Sequence, residues 1–230
     1  MIVSVHQPQY IPWLGYFDKI AKSDCFVFLD CVQYKEREFQ NRNKIRTKDG
    51  WIWLTVPVAS QGLGRQKVSD VAIDNESAWR KQHLKSWEVW YAKAPFFKEY
   101  AAFFKEIYNT DWEKLSQLNV FITRYVFKAL GIEKPVYFES ALQTTQSKTE
   151  RIIEICQKLK ADVYLSGSGG RDYIEEDKFK AAGIELRYQE FIHPVYQQQF
   201  SASGEDFVSH LSIFDLLLNE GPKSREIMGL

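Results

Sequence analysis

Cysteine is scarce in this chain. It has three, Cys25, Cys31 and Cys156, an odd number without metal spacing. That argues against a disulfide framework or a cysteine zinc centre and predicts free, reduced thiols. Excess charge is missing too. Thirty cationic side chains balance thirty anionic ones, so the broad basic footprint of a duplex-binding protein is absent, although a local basic patch remains open. No apolar run approaches membrane-spanning length. The opening Met1-Ile2-Val3-Ser4-Val5 meets His6 and Pro8 too soon to be a signal peptide. These absences predict a cytoplasmic protein. Several signatures are also lacking: a His-Glu-x-x-His metal motif, a P-loop lysine, a dinucleotide fingerprint and a Gly-x-Ser-x-Gly nucleophile elbow. No metal ligand set is predicted.

What remains is an ordinary globular composition with many rings. Of 230 residues, 45% are hydrophobic, 26% charged and 15% aromatic, which favours a deep core or an aromatic-lined pocket. The length predicts a single α/β domain over 1–230. A mainly parallel, Rossmann-like sheet is interrupted by a β-hairpin at about 40–58 and a helical insertion at about 76–131. Strands are predicted at Ile2–Val5, Cys25–Leu29, Val68–Ile73, Val136–Phe138, Val163–Leu165 and Ile184–Tyr188. The hairpin turns at Asp49-Gly50. Its Trp51, Trp53 and Thr55 alternate with Ile52, Leu54 and Val56, so both faces can be covered. Residues 61–66 read as a loop. Helices are predicted at 13–22, 77–90, 96–108, 112–130, 148–160, 173–182 and 211–219, the fourth offered a cap by Thr110-Asp111 and ended by Gly131. The aromatic side chains of 79–104 read as a helix–helix core.

The chemistry is concentrated where strands end. After Val163–Leu165 come Ser166, Gly167, Ser168, Gly169, Gly170 and Arg171. Strand, glycine turn and helix in that order aim backbone N–H groups at an anion, although a tight turn alone explains the glycines as well. After Ile2–Val5 comes His6-Gln7-Pro8-Gln9-Tyr10-Ile11-Pro12-Trp13. Two polar, aromatic strand-to-helix loops predict a ligand cleft at the carboxyl edge of the sheet. His6 and His193 both follow strand-like runs and are the catalytic candidates, because imidazole exchanges a proton near neutrality. Asp30 ends the second strand. Arg42 suits a phosphate or carboxylate and Asn43 a sugar or amide; a charged hairpin edge explains both equally well. His83 reads as solvent-facing and His210 as a loop residue.

The chain resembles the WbqC-like family. The likeness rests on His6–Ile20, Phe28-Leu29-Asp30, Gln33-Tyr34, Asn41–Ile45, Leu165-Ser166-Gly167, Gly170–Tyr173, His193–Gln197 and Leu211–Leu217. The resemblance implies a setting in bacterial O-antigen or related surface-polysaccharide synthesis. A second likeness is to the HIGH-signature nucleotidylyltransferases, including pantothenate synthetase, in the layout of Gln7-Pro8, Trp13–Tyr16 and the serine–glycine loop. The two signature histidines would fall on Trp13 and Tyr16, neither of which replaces an imidazolium on a phosphate.

The expected function is an amide-forming transferase or ligase acting on a nucleotide-linked amino sugar. The acyl donor would be an ATP-activated amino acid, an aminoacyl-tRNA or an acyl thioester on a carrier. His6 or His193 is the expected base. Gln7, Tyr10, Trp13, Tyr16, Asp30, Arg42, Asn43, Ser166–Gly170, Arg171, Tyr173 and Tyr196 are the expected substrate contacts. His6, Asp30, the glycine loop and His193 are expected to converge in one cleft. The alternative is a non-catalytic module that binds a glycan precursor or a carrier protein.

Overall fold

The computed structural model describes residues 1–59, 64–201 and 206–230; residues 61–63 of the expected loop lie outside this set. The framework is a parallel five-stranded sheet. Its strands are β1 (Ile2–His6), β2 (Cys25–Phe28), β5 (Val136–Phe138), β6 (Val163–Ser166) and β7 (Glu185–Tyr188). They lie side by side in the order β5-β2-β1-β6-β7. From β1 the chain builds outward in one direction through β2 and β5, then returns to add β6 and β7 on the other side. The strand order therefore reverses between β1 and β6, which is where doubly wound sheets open a ligand crevice.

Helix α1 (Leu14–Ala21) connects β1 to β2, a parallel crossover. The hairpin β3 (Arg42–Thr47) and β4 (Gly50–Thr55), then α2 (Trp79–Tyr91), α3 (Phe97–Asn109) and α4 (Leu115–Leu130), separate β2 from β5. α5 (Glu139–Leu142) and α6 (Lys148–Lys158) lead into β6. α7 (Glu176–Ala181) leads into β7, and α8 (Ile213–Glu220) and α9 (Ser224–Ile227) close the chain.

The period of the strands sorts their side chains onto two cores. On β2, Phe26 and Phe28 join the larger core, built with α1, the helical insertion and α8. Cys25 and Val27 join a smaller core with Val3 and Val5 of β1 and Ile155 and Cys156 of α6. The aromatic helices form a helix–helix core, as their pattern predicts: Trp87 stacks on Phe104 at 4.6 Å and Phe214 packs edge-on.

Four expectations need correction. Residues 68–73 do not form a strand. Val68–Asp70 is a 3-10 turn, and among the described residues only isolated bridges from Val58 to Ile73 and from Lys114 to Ala72 reach this stretch, so no ladder propagates. The helix expected from Tyr173 starts at Glu176, because Ser168–Asp172 closes as a tighter 3-10 turn through its glycines. The hairpin has one open face: Trp51 and Trp53 are exposed, with Lys44 and Arg42 over their rings. His83 is buried. It joins a chain in which Trp87 donates to the Tyr108 hydroxyl at 2.8 Å, and Tyr10 bonds both Tyr108 at 2.7 Å and His83 Nδ1 at 2.9 Å. Burial pulls the His83 pKa down to about 4.

Asp215, fully buried on α8, organises the C-terminal half of the large core. Its carboxylate accepts from Tyr91 at 2.7 Å, Tyr196 at 2.9 Å and Gln198 at 2.7 Å. Burial raises its pKa against those three bonds. Asp215→Ala would strand three donors at roughly 1–3 kcal/mol each. The expected loss is about 3–5 kcal/mol, read from the urea unfolding midpoint; an unchanged midpoint would contradict the role.

Candidate functional site

His6 ends β1 and Ser166 ends β6, the two neighbouring strands at which the sheet order reverses. A cavity of about 220 Å³ opens between them. Its walls include Val5, His6, Gln7, Lys19, Ser166, Gly167, Gly169, Gly170 and Tyr173, with Ile152 and Tyr164 behind. The glycine loop belongs there for a packing reason. A Cβ on Gly170 would lie 2.0 Å from Ser166 Oγ and 2.9 Å from Ile174 Cδ1. Gly170 also donates to the Gly167 carbonyl at 2.9 Å, closing the turn.

His6 Nδ1 lies 3.2 Å from the Gln7 carbonyl. A carbonyl only accepts, so Nδ1 carries the hydrogen and Nε2 holds the lone pair. Tyr16 supports the ring edge-on at 5.0 Å and donates to the same carbonyl at 3.3 Å. Burial first, then the nearby charge of Lys19, pulls the His6 pKa down to about 3. In the free protein this imidazole is neutral across the physiological range.

Lys19 is the residue the sequence reading missed. It is 3% exposed, and Nζ donates to the Val5 carbonyl at 3.0 Å. Among the described residues no carboxylate lies within ion-pair distance of it. Its neighbour Asp18 pairs with Lys22 and accepts from Gln189. Desolvation lowers the Lys19 pKa to about 7. Nζ lies 3.8 Å from where a Cβ of Gly167 would sit, so the ammonium faces the glycine loop. Buried cations are ordinarily paired with an anion; the hydrogen bond of this one goes to a neutral carbonyl. No sequence signal marks it: α1 buries every residue from Leu14 to Ile20, the charged Asp18 and Lys19 among them, and that burial is seen only in the fold.

The profile of the WbqC-like protein family matches residues 7–227. The chain belongs to that family. It is similar to "Uncharacterized protein Rv1507c" of Mycobacterium tuberculosis, with 34% identity over 227 residues, spanning 98% of this chain and 96% of that protein. No solved structure matches the chain. Among the described residues, no helix of this WbqC-like protein is long and apolar enough to cross a membrane.

The structure brings together only part of the expected cleft. His6, Gln7, Ser166, Gly167, Gly169, Gly170 and Tyr173 share the cavity; Ser168, His193 and Asp30 do not line it. His193 sits in an aromatic cluster with Phe191, Tyr196, Phe207 and His210. Both its ring nitrogens are engaged: Nδ1 donates to the Pro194 carbonyl at 2.8 Å and Nε2 accepts from the His210 amide at 3.2 Å. Asp30 accepts from the Ser140 amide at 2.9 Å and hydroxyl at 2.6 Å, which ties β2 to α5. Asp30, Cys31 and Glu139 have ligand atoms close together, but Glu139 already pairs with Arg151 at 3.1 Å and accepts from Thr144.

The other expected contacts are spread through the framework. Arg42 lies over the Trp53 ring and donates to the Arg37 carbonyl. Arg171 lies over Tyr188 at 4.1 Å. Neither lines the cavity, so Lys19 is the cation there. Asn43 donates to the Ile11 carbonyl at 2.8 Å and accepts from the Lys44 amide. Trp13 stacks on His210 and covers Gly15, while Tyr16 backs His6. Thus neither residue at a signature-histidine position lines the cavity. A larger cavity of about 450 Å³ lies by Ala21, Lys22, Gly131 and Arg225. It adjoins the C-terminal end of α1, away from the strand ends that deliver His6 and Ser166, so volume alone does not select it.

Proposed function

We propose that this WbqC-like chain is an amide-forming transferase or ligase in bacterial O-antigen or other surface-polysaccharide synthesis. Its acceptor is the amine of a nucleotide-linked amino sugar, and it works in the cytoplasm. The observation that carries the reading is Lys19, a buried ammonium without an acidic partner, facing a glycine loop at the switch point. A diphosphate bound there supplies the missing negative charge. That anion offsets the Lys19 charge, one of the two influences that hold the His6 pKa down, and favours a proton on His6 in the complex. The amine nitrogen attacks the acyl carbon and a C–N bond forms. The C–O or C–S bond to the donor breaks, the leaving group departs with the electron pair, and the amine proton passes to His6 Nε2. The donor is an ATP-activated amino acid, an aminoacyl-tRNA or an acyl thioester.

The experiment is mass spectrometry of dTDP- and UDP-linked amino sugars incubated with the protein and each donor class in turn. The expected result is a mass gain equal to the donor's carboxylic acid or amino acid less one water, retained after the nucleotide is removed. Binding without mass gain from any donor would overturn the enzyme and leave a glycan-precursor binding module.

A further inference from the structure

Across Gln7 from the His6 cavity lies a second, smaller one of about 120 Å³, lined by Gln7, Gln9, Lys35, Glu38, Phe39 and Gln40. Gln7 is a wall of both. Gln9 is 7% exposed. Its Oε1 is buried without a partner, and its carboxamide makes no hydrogen bond among the described residues. Leaving such a group unpaired is costly, so a folded chain ordinarily either pairs it or replaces it by carbon.

The two segments that line the cavity are fixed to each other by bonds beside it. The Tyr10 amide donates to the Phe39 carbonyl at 3.1 Å. Asn119, fully buried on α4, donates to the Pro8 carbonyl at 3.2 Å and the Gln40 carbonyl at 2.7 Å. The space equals about four waters at roughly 30 Å³ each, enough for one polar edge of a ring and too little for a nucleotide. Carboxamides both donate and accept, which matches hydroxyl and amine groups. Lys35 and Glu38 offer one charge of each sign, so this cavity does not repeat the anion selectivity of Lys19.

We propose that Gln9, with Gln7, forms a sugar-reading subsite that hydrogen-bonds the hydroxyl or amine edge of the acceptor's ring while the diphosphate lies by Lys19. This rests on the acceptor class named above. It makes Gln9 a specificity residue of a neutral subsite separate from the anion site.

The test uses Gln9→Leu, which keeps the size and removes hydrogen bonding, and titration calorimetry with UDP, UDP-glucosamine and dTDP-glucosamine. The expected result is at least tenfold weaker binding of an amino-sugar nucleotide and less than twofold change for UDP. Equal affinity for the amino-sugar nucleotides in wild type and variant would overturn the subsite while leaving the anion site standing. A wild type that binds none of the three would overturn the anion site and the subsite together. Thermal melting is a ligand-free check. Gln9→Leu is expected to melt at or above the wild-type temperature, and a clear drop would show that Gln9 serves the fold, overturning the proposal.

Discussion

Lys19→Met is expected to raise the stability of the protein and to abolish most of its nucleotide binding. A lysine held at about 7 instead of 10.5 costs the fold on the order of 5 kcal/mol while both states are charged. The sign follows from linkage. The cost is complete below about pH 7 and is relieved as pH rises toward 10.5, because only the unfolded chain holds the proton across that window. The stabilisation by Met should therefore be largest near pH 6 and shrink in alkali. Binding moves the other way. Losing charge-assisted bonds worth about 1.5–3 kcal/mol weakens a nucleotide sugar by roughly ten- to a hundredfold. In the wild type only the ammonium form holds the diphosphate ester, which does not itself titrate near neutrality. Affinity should accordingly fall about tenfold per pH unit above about 7. Calorimetry from pH 6 to 9 and urea melts of both proteins measure these effects. A pH-independent affinity, or a destabilised Lys19→Met, would contradict the assignment.

His6→Gln is expected to lower kcat by about a hundred- to ten-thousand-fold, the usual cost of removing a general base. Glutamine can still donate to the Gln7 carbonyl but cannot take up a proton, so KM should change only a few-fold. The pH profile separates a base from an anchor. kcat/KM reports the free protein, where His6 is neutral down to about pH 3, whereas kcat reports the complex. The acid limb of kcat should lie at higher pH than that of kcat/KM, because the bound anion raises the His6 pKa. His193→Gln, whose ring lies outside the cavity, should keep kcat within about twofold, since it removes no base from the site. Near-wild-type turnover by His6→Gln would exclude His6 as the base.

The parallel framework was legible in the sequence because its signals are local. Short apolar runs such as Val163–Leu165 and Cys25–Leu29, followed by Ser-Gly or Asp, announce buried strands. Asp49-Gly50 announces the hairpin. The stretch at 68–73 misled because β-branched residues mimic a strand where only scattered single bridges form. His83 misled because helical spacing does not tell which face Tyr10 and Tyr108 will cover; that contact spans 73 residues of chain. The site was half legible for a similar reason. Strand ends place His6 and Ser166, and the parallel order brings them together. His193 also follows a strand, but an extended tract leads from β7 into the aromatic cluster around Tyr196 and Phe207. Lys19 was hidden by its type, since a lysine on a short helix reads as solvated until its neighbours are seen to be buried all round.

The most direct test of the switch-point site is a crystal structure of the protein soaked with UDP-glucosamine or dTDP-glucosamine. The diphosphate is expected within hydrogen-bond distance of Lys19 Nζ and against the Ser166–Gly170 loop, with the sugar reaching past Gln7 toward Gln9. A nucleotide sugar seated elsewhere, with Lys19 still bonded only to the Val5 carbonyl, would contradict it.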